Sequence, residues 1–232
     1  SQHYPPENMS AAQVGYFIDH KANSRDIMAL IPQWGAEGLI KLDKVDNDTQ
    51  ITKIGDLPKE LPNYEHTLFD AIFEAGDVVY LNALKYKIAT ALYQSQSQLS
   101  SDQKKSDLYD ETSVLYLHSW RTLLVGFALI AFGISSLFFW QSIAICVTSV
   151  LIGIALFIIY FTEPKHTQTG TRIKNHLLGL EQFLKNHDGS DYPNLMKKDP
   201  KYLDNIFPYA VALGIDTNFL KLFGDHIDYS PH

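Results

Sequence analysis

The chain has a single cysteine, Cys146, so no intrachain disulfide and no paired-cysteine metal or redox motif can form. It contains no HExxH, no GxSxG, no Walker loop and no GxGxxG. Nine histidines run from His3 to His232 without helical spacing beside a third ligand, so scattered surface histidines are expected rather than a metal site. Asp199 and Asp204 bracket Lys201, which reads as a solvated loop rather than an acid/base pair. No catalytic residue, metal or cofactor is therefore expected, and the chain is read as not an enzyme. The opening Ser1-Gln2-His3-Tyr4-Pro5-Pro6 lacks the basic and apolar regions of a signal peptide. A start without Met, directly in a Pro-Pro turn, is what a fragment or a processed product would show.

The most informative absence is charge. From Thr122 to Thr162 no charged side chain occurs. One helix of that length would measure roughly 60 Å, about twice the hydrocarbon thickness of a bilayer. Trp140-Gln141-Ser142 is the only polar break with the look of a turn, and it leaves spans of about 122–139 and 143–161, each near the minimum length. A transmembrane helical hairpin over 120–162 follows. The same stretch could instead form the buried hairpin of a helical domain, but a chain of this size offers too small a shell for it. Trp120, Arg121, Trp140 and Lys165 flank the membrane, and with Arg172 and Lys174 the positive-inside rule puts both ends in the cytoplasm and the Trp140 turn outside. Gly126, Gly133 and Gly153 offer small faces for close helix packing. No ionisable residue lies within the spans, which disfavours a proton relay or a transporter built from the hairpin alone. His118 and His166 flank its two ends on the same side, where a shared metal or pH-sensitive role would need both.

Outside the hairpin, residues 1–119 carry ten Lys/Arg against 17 Asp/Glu, a net of −7, whereas residues 163–232 are close to neutral at −1. An acidic front disfavours a nucleic-acid backbone as partner. Ser10 is placed to cap a helix through Lys21, with Val14, Phe17 and Ile18 on its apolar stripe. Asn23-Ser24 caps a second helix that Pro32 splits or restarts, with Trp34 as its anchor and Gly38 as its stop. Leu39-Ile40-Lys41-Leu42 and Gln50-Ile51-Thr52-Lys53-Ile54 read as strands around an Asp46-Asn47-Asp48 turn. Helix, helix and hairpin is the order of a winged helix, here assigned to residues 1–57. Its DNA-reading helix would be Asp26 to Gly38, which has no Lys or Arg, and the wing's lysines are offset by aspartates.

Residues 58–119 read as a second helical unit and a polar joint. Asn63 would cap a helix bearing Leu68, Phe69, Ile72 and Phe73, stopped by Gly76. Val78-Val79-Tyr80 is a short extended piece, and Leu81 to about Ser95 another helix. The tract from Ser95 to Asp107 has the composition of a mobile joint, with helical continuation as the alternative. Residues 163–232 form a C-terminal cytoplasmic helical segment. Thr167 to Thr171 is expected as a polar turn, and Ile173 to Leu184 as an amphipathic helix on the membrane surface or against the front domain. Tyr202 to Gly214 carries a Pro-Tyr-Ala region, and Asp216 or Thr217 would cap a last helix through Phe219 and Phe223. Trp34, Pro208, Tyr209, Phe219 and Phe223 are the candidate packing or interaction residues.

Several motifs carry a resemblance. Tyr4-Pro5-Pro6-Glu7, Ser10 and Ala12 precede a Gly15-Tyr16 helix, Ser24-Arg25-Asp26 opens the next, and Glu37-Gly38-Leu39-Ile40 enters the hairpin. Leu178-Gly179-Leu180-Glu181-Gln182-Phe183-Leu184 follows the membrane segment, and Phe207-Pro208-Tyr209-Ala210-Val211-Ala212-Leu213-Gly214 lies near the end. This ordering resembles the C-terminal part of predicted bacterial membrane proteins of the domain of unknown function 2207 family. The resemblance implies a bacterial inner-membrane location and a β-rich part and membrane helix ahead of a cytoplasmic segment such as this one. It implies no activity and no catalytic residues.

The fold class expected is mainly α, with a winged-helix-like cytoplasmic α+β unit, a transmembrane hairpin and a C-terminal helical segment. The function expected is a membrane-anchored interaction or scaffold module, in contact with lipid and binding a protein partner or copies of itself. A membrane-tethered winged-helix DNA-binding regulator, and an accessory subunit of a membrane enzyme or transport complex, are the alternatives.

Overall fold

In a computed structural model the chain is described over residues 3–46, 48–84, 87–110, 114, 120–139, 143–162, 165–186 and 192–215. It divides into two compact units, residues 1–103 with 173–232 and residues 104–172. The chain is mainly helical, with one small sheet.

In the first unit, helix α1 (Ala11–Asp19) starts at a capping box. The Gln13 N–H donates to Ser10 Oγ at 3.2 Å and the Ser10 N–H donates to Gln13 Oε1 at 2.8 Å, so two donors left over at the helix start are satisfied reciprocally. Helix α2 (Ser24–Met28) opens in the same way, with the Asn23 N–H donating to Asp26 Oδ2 at 2.8 Å. Helix α3 (Leu30–Ala36) follows after one residue. Pro32 falls in its first turn, where an N–H would have no intrahelical acceptor, so proline restarts the helix at little cost. Gly38, at φ +76°, turns the chain into the sheet.

Strand β1 (Ile40–Val45) pairs antiparallel with β2 (Asp48–Lys53), which sets Leu42 opposite Ile51. The Val78-Val79-Tyr80 piece is a third strand, β3 (Val78–Tyr80), antiparallel to β2 with Val79 opposite Ile51. It follows helix α4 (Asn63–Phe73), whose first residue is Asn63 itself. The expected Asn63 cap is thus corrected, since Pro62 holds the N-cap position and no side chain caps this helix. The expected helix from Leu81 to Ser95 is two pieces, α5 (Leu81–Leu84) and α6 (Ala89–Lys104). The presumed mobile joint from Ser95 is helical through Lys104. Ser95, Leu99 and Gln103 recur every four residues on a buried face, and that periodic burial overrides a polar composition.

Helix α9 (Gln168–Asn186) begins earlier than expected, replacing the polar turn at Thr167 to Thr171. From Ile173 onward its Leu177, Leu180 and Leu184 are buried, while Leu178 points outward. His176 Nε2 lies 2.7 Å from the Tyr4 carbonyl and the Phe183 ring meets the His3 ring edge-on at 4.5 Å. Of the two placements expected for this helix, packing against the front part of the chain is the one observed. Helices α10 (Tyr192–Lys198) and α11 (Tyr202–Ala212) complete the unit. Pro208 lies inside α11, buried. The core gathers Phe17, Ile27, Leu30, Trp34, Leu68, Ile72, Leu177 and Tyr202.

The second unit is built on α7 (Trp120–Phe139) and α8 (Ile143–Phe161), which pack together as the hairpin. Its glycines set the contact. A Cβ on Gly153 would lie 2.9 Å from the Gly126 carbonyl oxygen, and one on Gly133 would lie 3.1 Å from that of Cys146. The small faces therefore serve packing between the two helices. Within the helices, Ser136 Oγ donates to the Gly133 carbonyl at 2.7 Å and Thr148 Oγ1 to that of Ala144 at 2.8 Å, so these hydroxyls are satisfied inside their own helix.

Candidate functional site

Three features are built from residues that sequence reading singled out. The first is the seam between the N-terminal helices and α11. Asp26 is fully buried, one carboxylate oxygen caps the Asn23 N–H, and the other lies where a Cβ on Gly15 would stand. Glycine is required at position 15 because the carboxylate occupies that space. Arg25 lies beside it, with its Nε 4.0 Å from Asp26 Oδ1. Its Nε donates to the Ala212 carbonyl at 2.9 Å and its Nη2 to Asp19 at 2.9 Å, which caps the end of α11 with a cation. Gly214, at φ +63°, leaves room for the same guanidinium. The Tyr209 hydroxyl donates to the Met9 carbonyl at 2.8 Å and the Tyr202 hydroxyl to that of His3 at 2.7 Å. Motifs nearly two hundred residues apart thus meet at one place and hold the ends of the unit together.

Trp34 lies deeper. Its Nε1 donates to Glu65 Oε2 at 3.0 Å, and its ring meets Phe69 edge-on at 5.2 Å. Both Trp34 and Glu65 are buried. Burial pushes the Glu65 carboxyl up to about 7, partly offset by the Trp34 bond, and pushes Asp26 up to about 6, partly offset by the Asn23 N–H. Glu65 was not singled out in the sequence. The only signal for it is an acidic residue in the first turn of a helix, which is usually a solvated position.

The second feature is a groove of about 630 Å³ between α2, α3, the β1–β2 hairpin, α5 and α11. Met28, Ile31, Leu42, Ile51, Phe207 and Val211 line it, and Asp43, Lys44 and Asp48 edge it. Pro208 and Tyr209 lie on α11 beside these residues but face inward, so the groove is presented by their neighbours Phe207 and Val211. Gln33, the main polar group on the helix ahead of the β1–β2 hairpin, accepts from the Ala11 N–H at 2.8 Å and donates to Glu37 at 2.9 Å.

The third feature is the hairpin. Trp120–Phe138 and Ile143–Phe161 are long and apolar enough to cross a membrane, and about a fifth or less of each is buried within the chain. Phe127, Phe138, Leu151, Ile158 and Phe161 all point outward. Its ends are clasped. Tyr109 and His166 form an antiparallel bridge, the Asp110 N–H donates to the Lys165 carbonyl at 2.7 Å, and the Thr167 N–H donates to that of Leu108 at 3.0 Å. Gly170 packs against the Leu108 carbonyl. The chain leading into α7 and the chain leaving α8 are therefore hydrogen-bonded to each other, at the same end of the hairpin.

Trp120 and Arg121 are exposed at the start of α7, and Lys165 is exposed just after α8. Trp140, His118, Phe219 and Phe223 lie outside the described residues. His166 stacks on Tyr109, with ring centroids 5.0 Å apart. Lys201 uses its backbone N–H on Asp199 Oδ1, and Asp204 lies in the first turn of α11. Among the described residues no cluster of three or more His, Cys, Asp or Glu could hold a metal ion.

No curated protein and no solved structure matches the chain. The family profile described as predicted membrane protein (DUF2207) C-terminal domain matches residues 1–223. With two apolar helices clasped at one end and a profile match over nearly its whole length, this chain belongs to that family of predicted membrane proteins.

Proposed function

We propose that the chain is a membrane-anchored interaction module of the bacterial inner membrane, with both soluble parts in the cytoplasm and the groove on the first unit receiving a protein partner or a second copy. The observation that carries the anchoring is the hairpin's outward face of Leu, Ile, Val and Phe, combined with ends tied together by backbone hydrogen bonds. A hairpin of this kind has both ends on one side of a bilayer, and Arg121, Lys165 and Arg172 favour the cytoplasmic side. The groove supports the interaction reading, because an apolar concavity with a charged edge suits a small buried contact surrounded by polar residues.

Topology is tested with single cysteines in a Cys146→Ser background. A cysteine at Gln141 is expected to react with a membrane-impermeant maleimide in intact cells, and one at Ser101 only after lysis. Protection of both, or the reverse pattern, removes the reading. The interaction is tested by affinity purification in mild detergent with a particle-size estimate. Wild type is expected to carry a stoichiometric partner or to form a defined homo-oligomer, and Phe207→Asp with Val211→Asp to lose it by at least about tenfold, because a charge in a desolvated contact goes unpaired. A monomer without a partner in both cases overturns the interaction reading.

A further inference from the structure

The groove on the first unit is only partly covered. Met28, Pro32, Leu42, Leu81, Phe207 and Val211 line it and are each half-buried, whereas Ile206 and Ala210, next to the last two on α11, are buried. Its hairpin wall is held in place: Asp48 Oδ1 accepts from the Thr49 N–H at 2.7 Å and from the Asn82 N–H at 3.1 Å, which ties β2 to α5. An apolar concavity of about 630 Å³ is of the size that receives a few large side chains.

The chain itself supplies a cover of matching chemistry. Helix α11 ends in a Schellman turn at Gly214: the Gly214 N–H donates to the Val211 carbonyl at 3.0 Å and the Ile215 N–H to that of Ala210 at 3.1 Å, so the backbone is redirected just past Val211. It then runs on from 216 to 232. Among the stretches of the first unit outside the described residues (1–2, 47, 85–86, 187–191 and 216–232), only the last brings large apolar side chains together, Phe219, Leu220, Leu222 and Phe223. The matched family span, residues 1–223, takes in all four. Lys221 is the one charge from 217 to 224, and the groove's lining carries Asp43 and Asp48 against Lys44. Phe219 and Phe223 stand within about 14 and 29 Å of Ile215 along the chain, and at helical spacing their side chains share one face, about 6 Å apart. We propose that residues 216–223 form a short amphipathic helix that seats Phe219, Leu220 and Phe223 in the groove of the same chain, with Lys221 toward the Asp43 and Asp48 edge. This rests on the reading of the groove as a protein-binding surface and deepens it, because an incoming partner has to displace the tail. The short connection makes the tail a strong competitor. At an effective concentration on the order of millimolar, a contact with a dissociation constant of about 100 μM weakens a competing partner about tenfold.

The test uses the full chain in mild detergent, with the photoreactive residue benzoylphenylalanine in place of Phe219. Irradiation is expected to give a cross-link within a chain that still migrates as a monomer, mapped by mass spectrometry to Met28, Leu42 or Phe207. Leu222→Asp with Phe223→Asp, which leaves the groove and its helices intact, is expected to lower the yield by at least about tenfold, because a charge in a desolvated contact goes unpaired. The same probe in place of Tyr229, beyond the apolar cluster, is expected to give no preferred cross-link. A cross-link that maps outside the groove, or a yield that the two aspartates leave unchanged, overturns the proposal. A cross-link that migrates as a dimer also overturns it, by assigning the groove to a second copy, and leaves the interaction reading standing. If the cross-link within the chain forms and purification yields neither a partner nor an oligomer, the tail is the groove's ligand and only the reading of an external partner fails.

Discussion

Replacing Trp34 by alanine is expected to destabilise the first unit by about 3–5 kcal/mol, the usual range for truncating a fully buried large aromatic side chain. Two losses combine. The indole is fully buried and packs edge-on against Phe69, so its removal leaves a cavity beside that ring. The Glu65 carboxylate, also buried, then loses the donor at 3.0 Å that partly offsets its desolvation. Hydrogen exchange in α4 reports on the first unit without contribution from the hairpin, and its protection should fall by two to three orders of magnitude at neutral pH, about 1.4 kcal/mol for each tenfold. Trp34→Phe separates the two losses. It keeps most of the volume and removes the donor, so its cost is expected at about 1–3 kcal/mol at pH 8 and less at pH 5.5, where Glu65 is protonated. Equal costs at both pH values would show that the bond to Glu65 contributes nothing.

The second large effect is a rise in the stability of the first unit as pH falls. Asp26 and Glu65 have folded-state pKa values of about 6 and about 7, above their ordinary values of 3.8 and 4.5, because burial penalises their charged forms. Between the ordinary and the raised values the folded state binds more protons than the unfolded state. Stability from this source is fully present below about pH 4 and is lost as pH rises through 6 and 7. From pH 8 to 5.5 the gain is on the order of 2–3 kcal/mol, taking about 1.4 kcal/mol per pKa unit over the part of each shift that falls in this window. The sign is opposite to that of a domain held by exposed ion pairs, such as Lys53 with Asp56, whose carboxyl is held below its usual range by the lysine. Urea unfolding of the full chain in mild detergent, with Trp120→Phe and Trp140→Phe so that Trp34 fluorescence alone reports, measures it. Asp26→Asn with Glu65→Gln should flatten the dependence to within about 1 kcal/mol. A midpoint that falls between pH 8 and 5.5 in wild type would rule out burial as the dominant influence on both carboxyls.

Much of the local structure was legible because its signals are short-range. Ser10 before α1, Asn23 before α2 and Gly38 after α3 are capping and stop residues whose chemistry acts within one turn, and each stands where expected. The two apolar helices were legible because crossing a bilayer sets a length and excludes charge, both of which are read along one dimension. The errors have physical causes of the same kind. Asn63 is a good capping residue, but Pro62 already has the extended conformation that ends the preceding loop and stands in the cap position. The tract from Ser95 is polar by composition yet helical, because a face recurring at every fourth residue is buried by contacts that no local window contains. Val78-Val79-Tyr80 is extended as expected, and only its place as the third strand beside β2 depends on a pairing some thirty residues distant.

For the candidate sites the division is sharper. Trp34 could be named as an anchor from its position on an apolar stripe, but its hydrogen bond to Glu65, and with it the raised carboxyl pKa, exists only because α4 folds against α3. Gly15, Arg25, Asp26, Tyr209 and Gly214 could be quoted as motifs, while their meeting at one seam comes from packing of the first and last helices. By itself the sequence determined the cap positions Ser10 and Asn23, the stop at Gly38, the apolar spans and the excess of acid in the front part, because these depend on residue type and on neighbours within a few positions. The tertiary structure alone decided which carboxylates are buried, that the glycines pack the two hairpin helices together, and that the chain flanking the spans closes into a clasp. Desolvation and close packing depend on the full three-dimensional surroundings of a group, and residues far apart in the chain supply those surroundings.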